Sequence, residues 1–279
     1  MKTLTAREVI LYLSIKYNGN WSDIFNAVRK KERIDLEEYE KITNNISCSY
    51  VTILDADYPN SLKSVYRPPF VLFYYGDLSL ISKQTIGVIG PRENTKYAKE
   101  NCESIVNELS SKLVIVSGLA KGIDSIAHQA CVNAGGKTIA VLGSGIDNCY
   151  PKENLLLYNI IKKEHLLISE YPNMVEPNAD NFPLRNRIIA GLSQSLFVVE
   201  AKKKSGTMIT IGYALENGKD VFCLPHNVDG THYCNSLIKE GAILIENAQD
   251  IFSNLNIWKN VYLIYLNKGK GMNVFVLTF

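Results

Sequence analysis

The residues best placed to do chemistry lie in one stretch, Phe182-Pro183-Leu184-Arg185-Asn186-Arg187, which runs directly into the apolar segment Ile188-Ile189-Ala190-Gly191-Leu192-Ser193. Guanidiniums form paired hydrogen bonds to phosphate oxygens, a helix start offers N–H groups that favour anions, and an aromatic ring offers a base a face to stack on. The pattern predicts that Phe182 and the two arginines precede a helix formed by the apolar run. Two readings fit it. Either the stretch grips a nucleotide or nucleic acid, or Arg185 and Arg187 pair with carboxylates such as Glu170 or Glu200 and Phe182 belongs to the core.

The elements that must position this stretch are short β-branched runs separated by helical segments. The runs are 85–89, 113–116, 138–142, 166–169, 196–199, 221–224 and 243–245. Strands alternating with helices imply parallel pairing through crossovers, hence an α/β fold with a doubly wound, mostly parallel Rossmann-like sheet. In such sheets ligands bind outside the carboxyl ends of the strands. The residues that follow the runs are therefore the ones to inspect. They include Gly90-Pro91-Arg92 with Thr95 at a helix start, Ser117-Gly118-Leu119-Ala120-Lys121-Gly122, Gly143-Ser144-Gly145, Glu170-Tyr171-Pro172, and Glu200 followed by Lys202, Lys203, Lys204 and Ser205-Gly206-Thr207. Small and hydroxylated residues at strand-to-helix turns let backbone and side-chain donors approach phosphate oxygens. With Arg92, Lys121, Arg185 and Arg187 among these turns, a phosphate-bearing ligand is the expectation.

The spacing argues against several other chemistries. A dinucleotide fingerprint needs a third glycine that the 143–148 turn lacks, and no GxxxxGK precedes a Ser or Thr. His128, with Asp124 four residues before it, reads equally as a packing histidine or a base, and neither Glu170 nor Glu200 has a partner fixed by spacing. No catalytic residue is assigned. Cys223, His226, His232 and Cys234 fit no standard zinc pattern, and neither a metal nor a cofactor is expected.

The 279 residues are 46% hydrophobic, enough to bury a proper core. Three of the 30 basic residues lie in 253–279, where there is no acid, so residues 1–252 hold 27 basic against 28 acidic groups. Polyanion binding must then come from a local patch. The six cysteines are scattered singly without a secretory signal, and no long uncharged apolar run is present, so a cytoplasmic protein with reduced thiols and no membrane span is expected. Residues 1–45 read as a small helical module with a break at Gly19-Asn20 and Ser22 as a possible cap. Residues 46–83 read as a linker with lead-in strands, 84–252 as the main domain, and 253–279 as an atypical tail.

From about Tyr50 to Phe252 the chain resembles the DNA-processing protein A family, also called DprA or Smf. The resemblance rests on Ser117-Gly-Leu-Ala-Lys-Gly-Ile-Asp124, Ala127-His128, Gly136 to Gly143, Tyr150-Pro151, Ser169-Glu-Tyr-Pro172, the whole 182–193 stretch, and Lys204-Ser-Gly-Thr207. It implies an extended Rossmann-like domain that binds single-stranded DNA, protects incoming strands during natural transformation and loads the RecA recombinase. It also implies a homodimer, a SAM-like helical N-terminal domain and no enzymatic activity. Carried over by position, Arg92, Thr95, Ser117, Gly118, Lys121, Phe182, Arg185, Asn186, Arg187, Ser205, Gly206 and Thr207 would form the DNA-binding site.

The chain departs from the family at Pro91, where serine is usual, and in its tail, where 261–266 and 274–279 could form a hairpin in place of a winged helix. Two rivals stand beside this reading. A nucleotide-binding phosphoribohydrolase-like enzyme shares a Gly-Thr turn before a helix, but its catalytic glutamate falls here at Thr210. An adaptor would use the pocket for a small nucleotide.

Overall fold

A computed structural model of the chain describes residues 4–173, 175–228 and 233–255. The strand expectations hold to within about one residue at each end. Among the described residues nine strands form one sheet: β1 (Ser49–Thr52), β2 (Val71–Gly76), β3 (Thr85–Ile89), β4 (Val114–Ser117), β5 (Thr138–Leu142), β6 (Leu166–Ser169), β7 (Ser195–Val198), β8 (Val221–Cys223) and β9 (Ile243–Leu244). Their order across the sheet is β1-β2-β6-β5-β4-β3-β7-β8-β9.

From β6 to β9 every pairing is parallel, while β2 pairs antiparallel with β6 and β1 antiparallel with β2. The lead-in strands thus extend the main sheet. The chain builds outward from β3 through β4, β5 and β6, then returns to lay β7 on the other side of β3. That reversal is the switch point at which doubly wound sheets form a crevice.

The helices are α1 (Ala6–Lys16), α2 (Trp21–Arg29), α3 (Leu36–Thr43), α4 (Asn60–Lys63), α5 (Lys96–Leu109), α6 (Ile123–Asn133), α7 (Leu155–Glu164), α8 (Asn181–Leu192), α9 (Gly206–Glu216) and α10 (Cys234–Lys239). Parallel strands flanked by helices must be apolar on both faces, and all five residues of β3 and of β5 are buried. Ile86, Val88 and Ile115 face a core closed by α5 and α6, while Ile89, Val116 and Val141 face one closed by α8 and α9. The N-terminal helices enclose a small core of their own from Tyr12, Leu13, Ile24, Ala27 and Tyr39.

Two local expectations are corrected. Asn20, not Ser22, caps α2, its side chain accepting from the backbone N–H groups of Ser22 and Asp23 at 3.0 and 3.2 Å. The helix of the opening stretch begins at Asn181, before Phe182, so Arg185 and Arg187 lie within α8 and not ahead of its N-terminus. Pro183 is tolerated because it falls in the first turn, where backbone N–H groups have no intrahelical acceptor.

The six cysteines are unpaired. Among the described residues no group of three potential metal ligands comes together, and His232 lies outside them. Among them too, no helix is long and apolar enough to cross a membrane. The possible tail hairpin also falls outside the described residues.

Candidate nucleic-acid interface

The turns that follow β3, β4, β5 and β7 enclose a cavity of about 1120 Å³ at the switch point. Its lining includes Gly90-Pro91-Arg92 from the turn after β3, Lys202, Ser205, Gly206 and Thr207 from the chain after β7, and Phe182, Arg185 and Asn186 of α8. The structure therefore brings Arg92, Phe182, Arg185, Asn186, Ser205, Gly206 and Thr207 to one site.

Phe182 is the centre of an aromatic and cationic cluster. Its ring centroid is 5.5 Å from that of Tyr150, and the Arg92 guanidinium lies 5.4 Å from it. Gly143 makes room for the ring, since a Cβ there would come within 2.7 Å of it. Tyr150 is 42% exposed, so the cluster offers an accessible aromatic surface. Arg92, Lys152 and Lys202 are exposed cavity-lining cations, and none of them enters an ion pair among the described residues. The Ser205 side chain does not cap α9, so that helix begins with no side-chain acceptor on its N–H groups where the chain lines the cavity. An uncapped helix start beside unpaired cations suits an anion.

The two α8 arginines are placed differently. Arg185 lines the cavity floor but is only 4% exposed, and it donates through Nη1 to the carbonyls of Gly118, at 2.6 Å, and Val141. Gly118 permits this, because a Cβ there would fall within 2.6 Å of the guanidinium. Burial draws the Arg185 pKa down to about 10, against the raising influence of Asp124. Burial likewise raises the Asp124 carboxyl, offset in part by Arg185.

Arg187 is fully buried and does not line the cavity. It donates to both carboxylate oxygens of Glu170 at 2.5 and 3.2 Å, to Leu184 O, and through Nε to the carbonyls of Tyr66 and Arg67. Burial opposes its charge, but Glu170 outweighs that and holds its pKa above the ordinary value. For this arginine the structural alternative in the sequence is the one observed.

The remaining expected residues surround the site without lining it. Ser117 is buried, its hydroxyl donating to Val88 O at 2.7 Å, which ties β4 to β3. Thr95 caps α5 and donates through its N–H and hydroxyl to Glu200 at 2.9 and 3.0 Å. Lys121 is exposed and pairs with Glu153 at 2.6 Å. Tyr150, Lys152 and Asn148 line the cavity as well, and in the sequence only the Tyr150-Pro151 pair and the turn after β5 mark that region. At Thr210 a buried threonine lines the cavity, its hydroxyl donating to Gly206 O at 3.3 Å, in place of a carboxylate.

Comparison with known proteins bears directly on this cavity. The family model for DNA recombination-mediator protein A matches residues 49–256. The chain belongs to that family. It is 46% identical over 204 residues to the DNA processing protein DprA of Streptococcus pneumoniae, covering 72% of each chain. To the Bacillus subtilis protein it is 44% identical over 209 residues, covering 74% of this chain and 70% of that one. The crystal structure of the Streptococcus pneumoniae protein superposes with a TM-score of 0.75 at 37% identity, over 88% of this chain and 92% of the other. A structure of DNA processing protein A from Helicobacter pylori, concerned with its single-stranded DNA binding mode, matches with a TM-score of 0.68 at 30% identity, over 75% and 96%. The family's members are named for DNA processing and recombination mediation, and the cavity described above lies wholly within the matched residues.

Proposed function

We propose that the cavity binds single-stranded DNA and that the chain uses it to protect incoming strands and load RecA during natural transformation and homologous recombination. The observation that carries this reading is the Tyr150–Phe182–Arg92 cluster set among unpaired Lys152 and Lys202. Bases stack on aromatic faces with little regard to sequence, at about 1–3 kcal/mol each, while the cations track phosphates. Arg92, Phe182, Asn186, Ser205, Gly206 and Thr207 are assigned to direct contact. Arg185 forms the floor. Thr95, Ser117, Gly118 and Arg187 hold the turns in place, and Lys121 lies outside the contact set.

Residues 1–45 are assigned to a helical module with its own core and 84–252 to the DNA-binding domain, to which the strands of 46–83 add two antiparallel members. Homodimerisation, RecA as a partner and a cytoplasmic location belong to the same proposal, carried over from the family resemblance. The absence of a carboxylate at Thr210 supports a binding role over base release from a nucleotide.

The test is a salt series of oligonucleotide binding. The affinity of the wild-type protein falls as salt rises, because phosphate contacts release counterions. Arg92→Glu weakens binding at least about tenfold, and Phe182→Ala weakens it by about 1–3 kcal/mol. Equal binding by wild type and Arg92→Glu overturns the site. Displacement of the oligonucleotide by excess AMP favours the adaptor reading.

A further inference from the structure

Outside the cavity, a second surface among the described residues combines several rings with a cation that enters no ion pair. Trp21 and Phe25 of α2 stack with centroids 4.9 Å apart and planes 11° apart, and the Arg67 guanidinium lies 5.4 Å from the Trp21 ring and 5.1 Å from that of Tyr66. The result is a row of Phe25, Trp21, Arg67 and Tyr66. Its two ends are open to solvent, Phe25 being 43% and Tyr66 53% exposed. Trp21 is fixed from below by its Nε1 donating to Pro68 O at 2.8 Å and by packing on Phe70.

Arg67 is the unusual member. Its φ is 49°, in the left-handed region that a side-chain-bearing residue enters at a cost, and such outliers concentrate at functional positions. Arg187 holds the backbone there by donating to Tyr66 O and Arg67 O at 3.0 and 2.9 Å. The Arg67 guanidinium makes no ion pair and donates no hydrogen bond among the described residues. A strained backbone therefore presents a planar cation between two rings while its donors stay available. Arg29 follows Phe25 one turn later on the same flank of α2, exposed and likewise outside the ion pairs of the described residues.

We propose that this row is a second stacking and phosphate-contact station for a single strand that leaves the cavity. The inference rests on the cavity's assignment to single-stranded DNA. Charge and rings fit that occupant, and so does continuity. Arg187, which anchors Tyr66 and Arg67, is the chain neighbour of Asn186, which lines the cavity, so α8 carries the two surfaces on adjacent residues. A strand long enough to cross α8 reaches both, and a short one fills only the cavity.

Length dependence is the test. Binding of oligothymidylates of about 6 and about 30 nucleotides, the second longer than the usual single site, is compared for wild type and Tyr66→Ala/Arg67→Gly. Glycine at 67 relieves the backbone conformation while deleting the guanidinium, so the fold is retained. The long strand is expected to bind the double variant about tenfold more weakly, with a salt slope smaller by about 0.7, and the short strand equally well. Phe25→Ala gives a smaller loss of the same kind. Unchanged long-strand binding overturns the station and leaves the row to another occupant, such as a protein partner. Equal losses for short and long strands overturn it as well, by showing a structural effect. If Arg92→Glu leaves short-strand binding intact, it is the cavity assignment that fails.

Discussion

Beneath the cavity, Arg185 and Arg187 commit their guanidiniums to protein atoms, the first to two main-chain carbonyls and the second to Glu170 and the 66–67 turn. On the rim, Arg92 rests against Phe182, and Lys152 and Lys202 stand exposed with no carboxylate partner among the described residues. The same charge thus has two physical uses. A buried cation leaves a heavy desolvation penalty unless every donor is answered, so it serves as a cross-link. An exposed cation is solvated and cheap to leave unpaired, so it remains available to a polyanion. The floor sets the shape of the site and the rim supplies its attraction.

The largest effect that tests this division is expected at Arg187. Arg187→Ala strands the Glu170 carboxylate in the core, and the fold is expected to lose about 3–5 kcal/mol, read from urea unfolding. Arg187→Met with Glu170→Leu removes both charges and is expected to recover most of that loss. Affinity of the double variant for the short strand that fills only the cavity, measured where it is folded, is expected to stay near wild type. A double variant that folds well but has lost its short-strand affinity would place Arg187 in the cavity's binding machinery and break the comparison.

The next effect separates floor from rim by pH. His128 of α6 is fully buried against Thr138, 2.7 Å from its hydroxyl, which itself donates to Ile115 O. Burial first, and then the charges of His165 and Arg185, hold its pKa down at about 3. The unfolded imidazole takes up a proton below about pH 6.5 and the folded one does not until about pH 3. Stability is therefore complete above pH 6.5 and is lost on acidification toward pH 3, by up to about 1.4 kcal/mol per pH unit. That is a loss of about 2 kcal/mol at pH 5. The raised Asp124 carboxyl acts in the opposite sense, so the comparison is made with His128→Asn at unchanged Asp124, in which the urea midpoint should fall less between pH 7 and pH 5. Equal falls in wild type and His128→Asn over that range would overturn the assignment.

How far the site could be read in advance follows from the same contrast. The strands were legible because parallel strands buried on both faces leave short β-branched runs, and the turns were legible because close approach selects glycine, as at Gly118 under Arg185 and Gly143 under Phe182. Burial of individual arginines was not legible. Spacing places Arg185, Asn186 and Arg187 on one helix, but successive residues point about 100° apart, so neighbours can face a cavity and a core in turn. Spacing leaves Glu170 and Glu200 equal as partners, and it is the packing of α8 on the turn after β6 that selects Glu170, while Glu200 accepts from Thr95. Lys152 carries no such signal, because it follows no strand directly and reaches the rim through the loop after β5.

The smallest expected effect is the most discriminating, because it compares two lysines close to one rim. Lys121 lies in the family's Ser-Gly-Leu-Ala-Lys-Gly turn, but its ammonium pairs with Glu153 and it does not line the cavity. Lys152 lies in no quoted motif, yet it lines the cavity and has no ion-pair partner among the described residues. Each phosphate contact adds about 0.7 to the salt slope of single-strand binding. Lys152→Ala is expected to lower the slope by that amount, and Lys121→Ala to leave both the slope and the fold unchanged, since an exposed pair contributes little. The reverse outcome requires strand binding to draw Lys121 away from Glu153, and Glu153→Gln then tightens binding by freeing the ammonium, whereas with Lys121 outside the contact set Glu153→Gln leaves affinity where it was.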